Sequence, residues 1–385
     1  MLFSDVPATF LIGHIGYNEC PFGHNYIILT LLDCFINLVS KLFTPLHTIT
    51  IDDDKPRMDP APPSSATSST HSKVTPQHYE AHADNDSYED AYFYEPGAYM
   101  DHLVKLHVDC MGLRQTILLA SKERVTRRIL DIGGGTGNFA QALVQFVAKE
   151  DDASVSLSKV DHLDIVVVDP FLDPTTSSKR AGEGAATHRV SFVKAGAEAF
   201  LDNCKNSNDQ SLASSSWRAP GSYHQILMKE IVHHLDAKDR VGIFRGMHQG
   251  LANVESLNHH NNSGKNSIPS ILIVTRPQVE IDYPLWDKAR QVWKENQPSV
   301  HELTNDLHEA GFRSIKHTIE SYPCSISLER WQSMIKNRFW STFSSFSDKE
   351  LQEACHHLAS EYSDRIDDEG VIHFEDRLVF LIAHK

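Results

Sequence analysis

The chain has 385 residues, enough for one large domain or two modest ones. Its 51 acidic against 36 basic side chains give a formal net charge of −15, without the clustered Lys and Arg that a phosphate backbone demands. Nucleic acid is therefore excluded as the expected partner, and a small molecule is favoured. The six cysteines stand far apart with no C-x-x-C pair, and the 23 histidines include no H-E-x-x-H, so neither a disulfide framework nor a metal centre is expected.

Residues 1–54 form an apolar to amphipathic extension. The stretch "NYIILTLLDCFINLVSKLF" (25–43) is interrupted by Asp33, Asn37 and Lys41, short of the ~20 clean residues of a membrane span. No Lys or Arg precedes Lys41, so the positive start of a secretory signal is missing. The segment reads as an amphipathic docking helix or a poorly ordered extension, with organelle targeting or peripheral membrane contact as a third role. The expected location is cytoplasmic. Residues 55–77 are Pro- and Ser-rich with little to bury and read as a disordered linker. The folded domain is expected over 78–385.

That domain opens with "SYEDAYFYEPGAYMDHLVKLHVDCMGL" (87–113), whose Leu103, Leu106 and Met111 follow a helical spacing. Strand "RRILDIG", helix "NFAQALVQFVAK" and strands "DIVVVDP", "VSFVKAG" and "HQILMKE" come next, then helix "AKDRVGIFRGMHQGL" and strand "SILIVTR". Short continuous apolar runs alternating with helices predict a parallel sheet covered on both faces. Two polar inserts, 203–222 and 252–270, read as surface loops. Beyond Arg276, "LTNDLHEAGF" is a helix stopped by Gly311 and "RSIKHTIESYP" is strand-like. A helical block over about 325–363 follows, with Ser347-x-x-Glu350 as a capping box inside it, and "DRLVFLIAHK" is a closing strand. The last two strands predict an antiparallel C-terminal edge.

The most informative stretch is "RILDIGGGTGNFAQAL" (128–143). A bare strand-to-helix turn allows torsions that a side chain forbids and lets a ligand lie against the main chain. The amides of the following helix N-terminus favour an anionic or polar group. Gly135-x-Gly137-x-x-Ala140 satisfies the dinucleotide pattern, so an NAD-dependent oxidoreductase is one reading. The longer pattern Asp131-x-Gly133-x-Gly135-x-Gly137 resembles motif I of the class I S-adenosylmethionine-dependent methyltransferases. A carboxylate set just before the glycines suits a cation-bearing ligand better than a pyrophosphate.

The resemblance, closest to small-molecule methyltransferases of the type 11 kind, covers about 78–385 in element order. It implies a Rossmann-like α/β fold with a mostly parallel seven-stranded sheet, helices on both faces and a helical insertion near the C-terminus. It also implies S-adenosyl-L-methionine as cofactor. Gly133, Gly135, Thr136 and Gly137 would wrap its methionine part, with Asp131 near the amino group. Asp169, ending "IVVVDP", would accept the ribose hydroxyls. Many relatives carry an acidic residue after the third strand; "KAGAE" (194–198) places Gly196 and Ala197 there instead. Lys229 is expected to line the cleft.

For the acceptor, His233 and His234 follow the fourth strand at the edge where open α/β sheets bind ligands, and either is a candidate base. The alternative is that one packs and the other caps. Trp331, Met334, Ile335 and Arg338 share one helical stripe, read as core or as a pocket wall; Arg338 and Arg276 are candidate clamps for an acceptor carboxylate. Tyr94 and Tyr99 are candidate lid contacts. The expectation is methyl transfer to a small, carboxylate-bearing metabolite. The rivals are an NAD-dependent oxidoreductase and a non-catalytic cofactor-binding relative.

Overall fold

The computed structural model describes residues 96–149, 162–172, 190–205, 221–253 and 268–385. The extension, the linker, Tyr94 and most of the two polar inserts lie outside the described residues. Helices α1 (Pro96–Met111) and α2 (Leu113–Glu123) lead into β1 (Arg127–Ile132), α3 (Asn138–Lys149), β2 (Leu163–Asp169) and β3 (Val190–Lys194). Then come α4 (Ala197–Lys205), β4 (Gln225–Lys229), a 3₁₀ turn (Val232–His234), α5 (Ala237–Gly250) and β5 (Ser270–Thr275). The last third holds α6 (Asp287–Asn296), α7 (Val300–Ala310), β6 (Ser314–Ser327), α8 (Leu328–Lys336), α9 (Asp348–Glu361) and β7 (Val371–His384).

The seven strands lie in the order β3-β2-β1-β4-β5-β7-β6. β1 to β5 pair in parallel, and β7 runs against both its neighbours, β5 and β6. This is the Rossmann-like class expected from the sequence. The central strands are apolar on consecutive residues because helices cover both faces: every residue of β5 is buried, and all of β4 except Lys229. One face packs Leu103 and Val108 of α1, Ile117 of α2, and Leu143 and Val147 of α3. The other packs Phe200 of α4, Phe244 and Met247 of α5, and Leu303 and Leu307 of α7.

The strand order reverses between β1 and β4, so the chains leaving their C-terminal ends diverge and open a crevice there. That crevice positions the site.

The insertion between β6 and β7 spans α8 to a 3₁₀ turn at Ser363–Arg365. Its aromatic residues join those of the β5–α6 region in one packed group. Trp340 lies 4.7 Å from Tyr283 and 5.3 Å from both Trp293 and Trp331, ring centre to ring centre. Trp331 is fully buried and its indole N–H donates to Pro284 O at 2.9 Å, so it is core rather than pocket wall. The stripe expected through Arg338 is not helical throughout. α8 ends at Lys336, and Arg338 has φ 52, which turns it off the face that Trp331, Met334 and Ile335 bury.

Helix α9 begins at the expected capping box: Ser347 Oγ accepts from Glu350 N, and the Glu350 carboxylate accepts from Ser347 N. α7 carries a second box, Ser299 with Glu302, which the sequence reading passed over together with α6.

Trp331→Ala is expected to lower unfolding stability by about 3–5 kcal/mol in a urea titration, the range for emptying a large buried aromatic site. A loss below about 1 kcal/mol would show that Trp331 is not core.

Candidate functional site

The crevice floor is the turn from β1 to α3. Gly135 has φ 54 and Gly137 φ 77, backbone states that side chains resist. The two glycines do different jobs. A Cβ on Gly137 would stand 2.4 Å from Cε1 of Phe192, so this residue lets β3 approach the loop. A Cβ on Gly135 would meet nothing within 4 Å, so that position needs glycine for its torsion and leaves open space above the main chain. Thr136 is exposed at the tip of the loop.

Two carboxylates support this turn from different sides. Asp131 is 2% exposed, and its Oδ2 lies where a Cβ on Gly134 would come within 2.4 Å. It props the loop from beneath. Asp169, at the end of β2, accepts from Gly135 N at 3.1 Å and Phe171 N at 2.8 Å. Burial pushes its pKa up, and those two amides oppose the shift. A carboxylate has about four lone-pair sites, so two amide bonds leave acceptor capacity facing the crevice.

Beside the start of the turn lies a cavity of about 690 Å³, within the range of small-molecule sites. Gly133 and Asp169 line one end, Gly196 and Ala197 a second wall, and Ile231, His233 and His234 a third. Sequence reading missed the rest. Glu198, in the first turn of α4, also lines it, as do Gln278, Asn296 and Gln297 around the end of α6. Glu198 is the last residue of "KAGAE", two positions past Gly196. Asn296 and Gln297 close α6, whose only sequence signal was Ala289 and Trp293, four residues apart and both buried; Gln278, in the connection before it, donates to Lys294 O and Gln297 O. Of the helical insertion, only Ser341 reaches the lining, so α8 and α9 buttress the fold and do not roof the cavity.

His233 is the most distinctive side chain on the wall. Its Nδ1 is buried and makes no hydrogen bond to any described residue. Burial, then the neighbouring His234, then Arg276 hold its pKa well below 6.5, so the imidazole is neutral at neutral pH. The two rings lie 4.0 Å apart.

The arginines do not behave as expected of anion clamps. Arg276 is buried and salt-bridged to Glu230, with its Nε 3.4 Å from Asp376 and donating to Tyr283 Oη at 2.6 Å. Tyr99 and Tyr283 each donate to a different oxygen of Asp376, so Tyr99 is a buried tie between α1 and β7, not a lid contact. Burial alone would raise the Glu230 pKa, but Arg276 and then Lys229 bring it below the usual carboxylate value. Lys229 sits 3.9 Å from Glu230, with its ammonium 4.9 Å from the centre of the Phe139 ring. It is not among the cavity-lining residues. Arg338 donates to Asp348 at 2.6 Å and to Phe346 O at 3.0 Å, on the insertion. Arg240, which does line the cavity, is tied to Asp306 at 2.8 Å.

The site therefore joins Gly133, Asp169, Gly196, Ala197, His233 and His234 on one cavity, next to a turn built by Asp131, Gly135 and Gly137; these three and Thr136 are not among the cavity-lining residues. Among the described residues no group of His, Cys, Asp and Glu is arranged to hold a metal ion, and no helix is long and apolar enough to cross a membrane.

No family model and no curated protein matches the sequence. Similar solved structures include a putative methyltransferase of Bacillus halodurans, 11% identical with a TM-score of 0.37, covering 71% of this chain and 98% of that one. A putative methyltransferase from an antibiotic biosynthesis pathway of Anabaena variabilis is 15% identical with a TM-score of 0.41, covering 72% and 96%. A phosphoethanolamine N-methyltransferase of Haemonchus contortus, solved with phosphomonomethylethanolamine and S-adenosylhomocysteine, is 16% identical with a TM-score of 0.35, covering 70% and 52%. These are distant likenesses, and the functional reading rests on the site's own geometry.

Gly137→Ala is expected to destabilise the protein more than Gly135→Ala in thermal or urea unfolding. Both pay the left-handed torsion, about 1–2 kcal/mol, but only Gly137 adds a collision with Phe192. Equal losses would contradict the assignment of Gly137 to close packing.

Proposed function

We propose that this protein is an S-adenosylmethionine-dependent methyltransferase acting on a hydroxyl group of a small molecule. The observation that carries the reading is the joint placement, on one cavity, of Gly133 at the start of the glycine turn, the Asp169 carboxylate that accepts from Gly135 N, and the neutral imidazole of His233. The residues fit the cofactor. The open space over Gly135 admits a ligand against the main chain, and Asp169 retains acceptor capacity for a ribose diol. When bound, S-adenosylmethionine supplies a methyl group on a positively charged sulfur.

The chain's own part is alignment, exclusion of water and handling of one proton. Gly133, Gly135 and the α3 N-terminus would hold the amino-acid part over the turn, with Asp131 fixing the turn from below. Asp169 would accept both ribose hydroxyls. Gly196 and Ala197 leave space beside Glu198 for the base, and Glu198 offers the acidic group that Gly196 lacks. His233 would accept the hydrogen bond of the acceptor.

The depressed basicity of His233 chooses between acceptor atoms. An ammonium must lose its proton before it can attack, which calls for a base stronger than this imidazole. A hydroxyl keeps its proton until the oxygen gains a third bond, when that proton becomes strongly acidic and a weak base suffices. A carboxylate handle on the acceptor loses its two expected carriers, because Arg276 and Arg338 are paired with Glu230, Asp376 and Asp348. We therefore assign an uncharged hydroxyl compound. His234 is left with a supporting place beside His233.

Incubating the purified protein with methyl-labelled cofactor and a metabolite extract is expected to yield a labelled methyl ether, identified by mass. His233→Asn should then lower kcat by about 10²–10⁴-fold. The wild-type kcat should stay level from about pH 6.5 upward, because this imidazole is already unprotonated there. A labelled amine or carboxyl ester as product, or full activity in His233→Asn, would overturn the assignment.

A further inference from the structure

The outer edge of β6 carries a pattern that the methyltransferase reading does not use. In an antiparallel ladder, alternate residues turn their N–H and C=O toward the partner strand and away from it. Leu328 N donates to Gly370 O, which continues the β6–β7 ladder and sets even-numbered residues of β6 toward β7. Glu375 N, opposite Pro323, instead donates to Asp282, and Lys385 N to Pro269 O, so odd-numbered residues of β7 turn to the far side. Odd-numbered residues of β6 therefore face outward. Among the described residues, no hydrogen bond reaches the outward main-chain groups of Ile315, His317, Ile319 or Ser321. Pro323, the next outward position, has no N–H to offer and ends the run, as prolines do at sheet edges.

From these features we propose that two copies of the chain pair antiparallel along β6, about a two-fold axis through Thr318, into one continuous sheet. A closed two-fold dimer requires antiparallel self-pairing, and only a few registers centre on the exposed run. The register centred on Thr318 makes the outward residues hydrogen-bonding pairs: His317 with the partner subunit's Ile319, and Ile315 with the partner subunit's Ser321. It sets Lys316 directly opposite the partner subunit's Glu320, twice by symmetry, in the close non-hydrogen-bonded positions where opposite charges attract most. Shifting the axis to His317 places Lys316 opposite the partner subunit's Thr318, and shifting it to Ile319 places Lys316 opposite the partner subunit's Tyr322. Both shifts lose the charge match. The Thr318 register also brings the two copies of Ile319 into diagonal contact, covering a side chain that is 46% exposed in the single chain. Pro323 then limits the new ladder to the residues before it, which favours a discrete dimer over further strand addition.

The test is sedimentation equilibrium of the full chain at near-physiological salt, over rising concentration. The wild type is expected to form a reversible dimer. Ile319→Pro, which removes an outward N–H, should be monomeric throughout. Glu320→Lys, which faces two lysine pairs, should weaken dimerisation by about tenfold or more, and Lys316→Glu with Glu320→Lys should return it to within about threefold of wild type. Circular dichroism checks that each variant is folded. In the wild type, amide exchange at His317, Ile319 and Ser321 should slow as the dimer forms. A wild type that stays monomeric at every concentration, a dimer indifferent to Ile319→Pro and Glu320→Lys, or a charge swap that fails to restore pairing would each overturn the proposal.

Discussion

The structure turns on a demand placed on the five residues between β1 and α3. The main chain there must double back, take left-handed torsions and stand close to β3 on one side while remaining open on the other. Only glycine meets all of this at Gly135 and Gly137. Asp131 stabilises the turn from beneath, and Asp169 fixes its crest by accepting from Gly135 N. The sheet order then matters because it places this turn at the point where the connections from β1 and β4 separate, leaving a cavity instead of packed helix.

Charge follows a second constraint. Buried ions are tolerated only in partnership, since isolating one in a low dielectric costs several kcal/mol. Arg276 lies between Glu230 and Asp376, while Tyr99 and Tyr283 each donate to one oxygen of Asp376. This knot ties α1 and β7 to the segments that leave β4 and β5. It also takes out of service the guanidinium that the sequence offered as a substrate clamp. What faces the cavity is an uncharged imidazole, amide side chains, carboxylates and one guanidinium, Arg240, already paired with Asp306, a lining suited to a cationic donor and a neutral acceptor.

Much of this was legible in the sequence for identifiable reasons. Strands buried on both faces leave consecutive apolar residues, so "RILDI", "IVVVD" and "SILIVT" announced the sheet, and the bare turn announced the site. The Ser347 capping box was legible because it is local. Helix α6 was not, since it buries only Ala289 and Trp293 on an otherwise polar surface, and Asn296 and Gln297, which it brings to the cavity, were lost with it. Arg338 was misplaced because spacing counts residues as if a helix continued, whereas α8 stops two residues earlier. Tyr99 and Asp376 meet across 277 positions, and no local pattern encodes such a pairing.

The central claim is that the glycine turn with its two carboxylates holds a positively charged sulfur donor. Titration calorimetry of the purified chain against S-adenosylmethionine, with NAD in a parallel run, addresses it directly. The account predicts saturable one-to-one binding of the sulfonium compound, lost in Asp169→Ala while the protein stays folded, and no binding of NAD. Tight binding of NAD with no response to S-adenosylmethionine would contradict it.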